Sequence, residues 1–128
     1  WRDRYVHRSE HPEDDAEKVI LDGDRVVRIA RDVASDEAHG EYIGVASMSP
    51  AGARLFITHY HRVAGSFAGR PWRGAAVFEK AYLILLFQEM IEQGVEIRMA
   101  PTDGEYMEID TEEDLRLAND VWIRRFER

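Results

Sequence analysis

No cysteine occurs in the chain, which excludes disulfide staples, thiolate metal ligands and cysteine nucleophiles, and leaves nothing to indicate an oxidising compartment. Long apolar runs are also missing: the most hydrophobic stretch, residues 81–87, falls well short of the roughly 20 residues of a membrane helix, so no membrane partner is expected. Positive charge is in deficit. Twenty-five Asp and Glu against 17 Lys and Arg give a formal charge of −8, the opposite of what neutralising a nucleic-acid backbone requires, so no nucleic-acid partner is expected. The opening Trp-Arg-Asp-Arg-Tyr lacks the pattern of a secretory or transit peptide, which makes a cytoplasmic location the default expectation. Serines are few and none lies in a nucleophile-elbow pattern, so acyl hydrolysis has no support. Lysine is the scarcest charged type, with Lys18 and Lys80 alone against fifteen arginines.

What is present is a chain of 128 residues, 45% hydrophobic and 33% charged, enough for one domain with a real core. Residues 17–21 and 25–31 are β-prone runs separated by Asp22-Gly23-Asp24, a strong hairpin signal. Residues 32–40 form a polar loop and 41–48 a third strand. Ser49-Pro50 then predicts a helix start, Ser at the N-cap and Pro in the first turn, running to about Val63. A loop rich in glycine and arginine covers 65–74. The clearest helix is expected over 75–93, closed by Gly94, with a short strand over 95–99. Strands interleaved with helices predict an α/β layer, and the hairpin makes its sheet mixed rather than purely parallel. Within 81–87, Tyr82, Leu83, Leu86 and Phe87 are expected in the core, with an oligomer interface as the alternative.

The most informative stretch is residues 104–115, GEYMEIDTEEDL. After the turn at Gly104, residues 106–109 are expected as a strand. Glu108 and Asp110, two apart, would then point to one face. Thr111 is the expected N-cap, with Asp114 three residues on in a variant capping box, opening a helix that ends near Phe126. A hard cation such as Mg²⁺ takes one or two carboxylates and leaves its other positions to water and substrate phosphates, and Glu108 with Asp110 meet that need. The competing reading is that the acids at 110 and 112–114 only complement a helix dipole.

Lys18, opening the first strand, could meet a phosphate as a point charge, and Lys80 lies near the expected start of the 75–93 helix, where anions are favoured. For each the alternative, and the more ordinary outcome, is a snorkelling surface lysine. His59 and His61 are two apart on a helix, where side chains diverge, so no metal is expected there. His7, Glu10, His11 and Glu13 form a looser group beside Pro12 in an irregular acidic segment, where solvated side chains are the ordinary outcome.

Taken in order, Glu17-Lys18-Val19, the Gly40-Glu41-Tyr42-Ile43-Gly44 run, Met48-Ser49 with its helix, Phe78-Glu79-Lys80-Ala81-Tyr82-Leu83, and Tyr106-Met107-Glu108-Ile109-Asp110-Thr111 through Leu115 resemble a known group. The chain is similar to the carboxy-terminal half of a nucleotidyltransferase of the sugar-nucleotide and phosphocholine or phosphonate cytidylyltransferase kind, including the branch beside phosphoenolpyruvate mutases. The resemblance implies a Rossmann-like mixed-sheet sandwich, of which residues 1–128 form a partial domain. It implies Mg²⁺-dependent transfer of a nucleotidyl group from a nucleoside triphosphate, CTP or UTP, to a phosphorylated or phosphonylated small molecule, with release of pyrophosphate. By position, Asp110 resembles a metal-ligating and catalytic aspartate and Glu108 its companion. Lys18 resembles a catalytic, acceptor-binding lysine, and Glu41 and Gly44 the lining of the acceptor pocket. Glu79 and Lys80 are carried over as acceptor-side residues, and the resemblance also brings Arg4, Arg8 and His11 towards the acceptor.

Such enzymes begin with a glycine-rich triphosphate loop, a nucleotide pocket and a first metal-binding aspartate. None is found in this sequence, and the glycine-dense run at 65–74 lacks that loop's spacing. It is expected instead as an acceptor-side lid or a plain solvated loop, with Arg70 or Arg73 available to a phosphate. The chain alone is therefore expected to be inactive, part of a longer enzyme whose self-association as a homo-oligomer is left open. The alternative is a noncatalytic α/β binding or oligomerisation module.

Overall fold

The Asp22-Gly23-Asp24 turn folds two strands together, as the hairpin signal predicts. In the computed structural model, which describes residues 1–102, 104 and 106–122, β1 (Lys18–Asp22) pairs antiparallel with β2 (Arg25–Ala30). Gly23 takes a positive φ of 64°, the conformation such a turn requires and glycine accepts without strain. The register slips once, between Ile20 and Leu21, so that Val19 faces Ile29 while Leu21 faces Val26. The chain then returns along the other edge of β1 as β3 (Gly40–Glu41), giving the order β2-β1-β3.

All pairings in this sheet are antiparallel, which corrects the expected mixed sheet. The connections explain it: a parallel neighbour needs a crossover of a dozen or more residues, whereas β1 is joined to β2 by a tight turn. The strand expected over 41–48 is cut to two residues. The Tyr42 N–H still reaches the Glu17 carbonyl at 2.8 Å, and Gly44, at φ 78°, turns the chain away.

Helix α1 (Pro50–Phe67) starts where the sequence indicates, with the Ser49 hydroxyl accepting from the Gly52 N–H at 3.1 Å. It runs past the expected end at Val63, and Gly65 lies inside it. The helix expected over 75–93 is instead α2 (Leu83–Glu92) preceded by a 3₁₀ turn at Phe78–Lys80. The displaced residues are tied up as loop. Trp72 and Ala75 exchange two backbone hydrogen bonds across Arg73 and Gly74, both at positive φ, as in a primed hairpin turn. The Phe78 N–H donates to the Arg70 carbonyl at 2.9 Å, which holds residue 78 off the helix axis. The other end of α2 matches the sequence: Gly94 at φ 84° with Gly94 N–H to Ile91 and Val95 N–H to Met90 closes it as a Schellman motif.

The core lies between the sheet and α2, where Val19, Val26 and Ile29 meet Ile84, Phe87 and Met90, with Val63 of α1 added. Leu86 and Phe87 are buried as expected, but Tyr82 and Leu83 are exposed, because they stand at the first turn of α2 and precede its buried stripe. The outer edge of β2 is covered rather than extended by a strand. Val26 N–H donates to Ile97, Ile29 N–H to the Gln88 side chain, and Met99 N–H to Asp24, so 95–99 runs alongside without forming the expected strand beyond one bridge at Arg98.

The chain divides into two compact units, residues 17–99 just described, and residues 1–16 with those from 100 onward. The latter holds a 3₁₀ turn at Arg2–Tyr5, another at Glu13–Asp15, and helix α3 (Glu112–Leu117), which continues as a π turn over Ala118–Trp122. The expected helix end near Phe126 lies outside the described residues. No helix among the described residues is long and apolar enough to cross a membrane.

Candidate metal centre

Residues 106–109, expected as a strand, have no regular secondary structure. Just beyond this run the backbone is committed to a cap: the N–H groups of Asp110 and Thr111 both donate to the Asp114 carboxylate, at 3.1 and 3.0 Å, instead of to a neighbouring strand. Asp114 N–H returns a bond to the Thr111 hydroxyl at 3.1 Å. The capping box predicted from sequence therefore forms, and it turns the chain sharply at Asp110.

Asp114 is completely buried, and a buried carboxylate needs a partner. Arg8 supplies it, its Nε donating to Asp114 Oδ1 at 2.7 Å, with the two side chains 3% and 0% exposed. The same guanidinium donates to the Glu108 carbonyl at 3.2 Å and to His11 Nδ1 at 2.8 Å. Burial alone would push the Asp114 carboxyl up, but the Arg8 bond and the N–H donors of Asp110 and Thr111 outweigh it and hold the group well below the usual carboxylate range. Burial likewise disfavours the charged Arg8, and the Asp114 bond reverses this, raising its pKa. The neighbour of Asp114 in the first turn of α3, Glu113, accepts from the N–H groups of Ser9 and Glu10, at 2.6 and 2.8 Å, and from the Ser9 hydroxyl at 2.8 Å. The Glu10 N–H first, then Ser9, lower the Glu113 carboxyl below its ordinary value.

This framework leaves Glu108 and Asp110 exposed and close to His11. One ligand atom from each of the three lies within 4.8 Å of the other two. His11 Nδ1 is 3.7 Å from Asp110 Oδ2 and 3.8 Å from Asp114 Oδ2. Two exposed carboxylates suit Mg²⁺, which binds protein sparingly and keeps several waters. The imidazole fits less well: arginine has donors only, so its contact occupies the Nδ1 lone pair and leaves the ring proton on Nε2. The oxygen pair is the part of the cluster that matches a hard cation.

Arg4 lies over the Tyr106 ring at 5.5 Å in the same unit, whereas Lys18, Glu41, Gly44, Arg70, Arg73, Glu79 and Lys80 belong to the unit of residues 17–99. Lys18 is buried rather than surface-exposed, and its Nζ donates to the Arg31 carbonyl at 2.7 Å. Glu41 stands directly opposite it in the β1/β3 register, so the two side chains share a face. Gly44 sits in an exposed bend. Arg73 is held by Glu92 and lies over the Trp72 ring at 5.6 Å, and its bond lowers the Glu92 carboxyl. Lys80 is exposed in the 3₁₀ turn, two residues short of the α2 N-cap rather than on the helix. Glu79 accepts from the Gly69 N–H at 3.0 Å, and Arg70 is exposed. His59 meets the buried Glu89 at 3.1 Å while His61 meets Tyr60 edge to face, the divergence expected of positions two apart on a helix.

No family model matches this chain, and neither a curated protein nor a solved structure matches it.

Proposed function

We propose that this chain is the metal- and acceptor-binding part of a nucleotidyltransferase, a partial domain of a Rossmann-like α/β sandwich working in the cytoplasm. It takes part in moving a nucleotidyl group, CMP in the favoured form, from CTP or UTP to a phosphorylated or phosphonylated small molecule with release of pyrophosphate. The reading is carried by one observation: Glu108 and Asp110 stand exposed, within 4.8 Å of His11, on a turn fixed by a buried ion pair. Mg²⁺ bound by these carboxylates supplies charge neutralisation for phosphate oxygens, the main requirement of phosphoryl-type transfer. The chain's own residues contribute positioning. Arg8 and Asp114 hold the 108–111 turn, and Thr111 fixes the direction in which Asp110 leaves it. Of the cations singled out from the sequence, Lys80 and Arg70 are exposed, both in the unit of residues 17–99.

A specific observation favours the second reading, a noncatalytic α/β module. Lys18 and Arg73, both expected at phosphate, have partners inside the fold, the Arg31 carbonyl and Glu92.

Pyrophosphate release by the full polypeptide, with Mg²⁺, CTP or UTP, and a panel of phosphocholine, 2-aminoethylphosphonate and sugar phosphates, separates the two. Turnover of one donor and acceptor pair that disappears in Asp110→Asn is the expected result. Mn²⁺ binding followed by electron paramagnetic resonance should weaken at least tenfold in the same variant, about 1.4 kcal/mol. No turnover across the panel, with Mn²⁺ binding indifferent to Asp110, would leave the noncatalytic module.

A further inference from the structure

His11 is the member of the candidate centre that cation chemistry leaves without a task. Its ring is fixed from two sides: Arg8 Nη2 donates to Nδ1 at 2.8 Å, and the buried Tyr5 meets it edge to face, ring centroids 6.0 Å apart. From Nδ1 to the oxygens of Asp110 and Asp114 the distances are 3.7 and 3.8 Å, too long for hydrogen bonds, so the arginine decides the tautomer and the proton sits on Nε2. That nitrogen has no partner among the described residues, yet it is not buried. Arg31 Nε, in the unit of residues 17–99, is the one buried side-chain nitrogen or oxygen among them that lacks a partner. A ring only 13% exposed therefore presents an open N–H donor beside the two exposed carboxylates.

We propose that His11 binds the ligand rather than the cation: its Nε2–H donates to an oxygen of a phosphate group that the cation holds at Glu108 and Asp110, with Arg8 and Tyr5 as positioning residues. This rests on the metal reading above and adds a second contact for the phosphate. Charge supports it. Asp114 is already balanced by Arg8, and without a cation Glu108 and Asp110 repel an anion; a divalent ion cancels their two charges and leaves the neutral donor to act. Hydrogen-bond direction supports it too. An imidazole whose one lone pair accepts from arginine has none left for a metal, and a nitrogen carrying hydrogen finds its partner in an oxyanion. Zn²⁺, which favours nitrogen and sulfur ligands, would have to displace Arg8 to gain one here, so the same contact keeps the centre an oxygen site.

Three readouts on the full chain test this. In proton–nitrogen correlation spectra of protein carrying isotope-labelled histidine, the His11 signal, assigned by its loss in His11→Gln, should be that of the Nε2–H tautomer. Electron spin echo spectra of the Mn²⁺-loaded wild-type chain should show no histidine nitrogen coupled to the metal, a readout that needs no substitution. Inorganic phosphate should bind the Mn²⁺-loaded protein about tenfold more weakly in His11→Phe, the loss of one hydrogen bond to a charged group, while Mn²⁺ affinity stays the same. An Nδ1–H tautomer, histidine nitrogen coupled to Mn²⁺, or phosphate affinity indifferent to His11→Phe would each overturn the proposal and leave the metal centre standing. Failure of Mn²⁺ to bind the wild-type chain would overturn the metal reading and this inference together.

Discussion

The two units of this chain are held together by different forces. In the unit of residues 17–99, the sheet and α2 enclose an apolar core of branched and aromatic side chains, and its stability follows from volume filled and surface removed from water. The unit of residues 1–16 with 100 onward has few such groups, Tyr5 and Ala16 being the buried apolar residues among those described. It is fastened by charge: Arg8 on Asp114, Glu113 on Ser9 and Glu10, and the Thr111 capping box. An apolar core tolerates acid and salt but not lost volume, whereas a buried ion pair tolerates small changes of volume but not the loss of either partner. The carboxylates of the candidate site stand on the second kind of scaffold.

The sharpest way to break that contrast is Arg8→Met, which preserves bulk and strands a buried carboxylate. Destabilisation of about 3–5 kcal/mol is expected, read as lost hydrogen-exchange protection over residues 108–117. The matching test of the apolar unit is Ile84→Ala, at a position 2% exposed. It should cost about 2–5 kcal/mol in urea unfolding, with protection falling over β1, β2 and α2. Acid separates the two scaffolds without mutation. Because the folded Asp114 carboxyl lies below its unfolded value of about 3.9, its contribution is complete above that pH and is lost as pH falls through the folded value. Protection at 108–117 should therefore decline below about pH 4, ahead of the apolar unit, in an exchange-detected acid titration. Thr111→Ala is the mildest of the set, about 1 kcal/mol for one lost cap, measured by the same exchange over α3.

Local chemistry was legible in the sequence wherever a few adjacent residues decide the outcome. Asp22-Gly23-Asp24 marked the hairpin, Ser49-Pro50 the start of α1, Gly94 the end of α2, and Thr111 with Asp114 the cap of α3. Distant partners left no such signal. Arg8 and Asp114 are 106 positions apart, so the ion pair that fixes the candidate site is invisible to periodicity or capping rules. The same limit explains the failures. Residues 106–109 read like a strand, yet the N–H groups that follow them, of Asp110 and Thr111, are claimed by Asp114, and residues 75–82 carry helix formers, yet the Trp72–Ala75 turn and the Phe78-to-Arg70 bond hold them as loop. Lys18 reads from sequence as a phosphate-binding or a solvated lysine because nothing there marks the Arg31 carbonyl as its acceptor.

That inward-turned lysine has a practical consequence. With Lys18 buried and its ammonium donated to a carbonyl, Lys80 is the one lysine side chain an amine-directed reagent can readily reach. A dye or surface tether coupled through a lysine would then attach at a single defined place, the short turn ahead of α2, and leave the carboxylate cluster untouched.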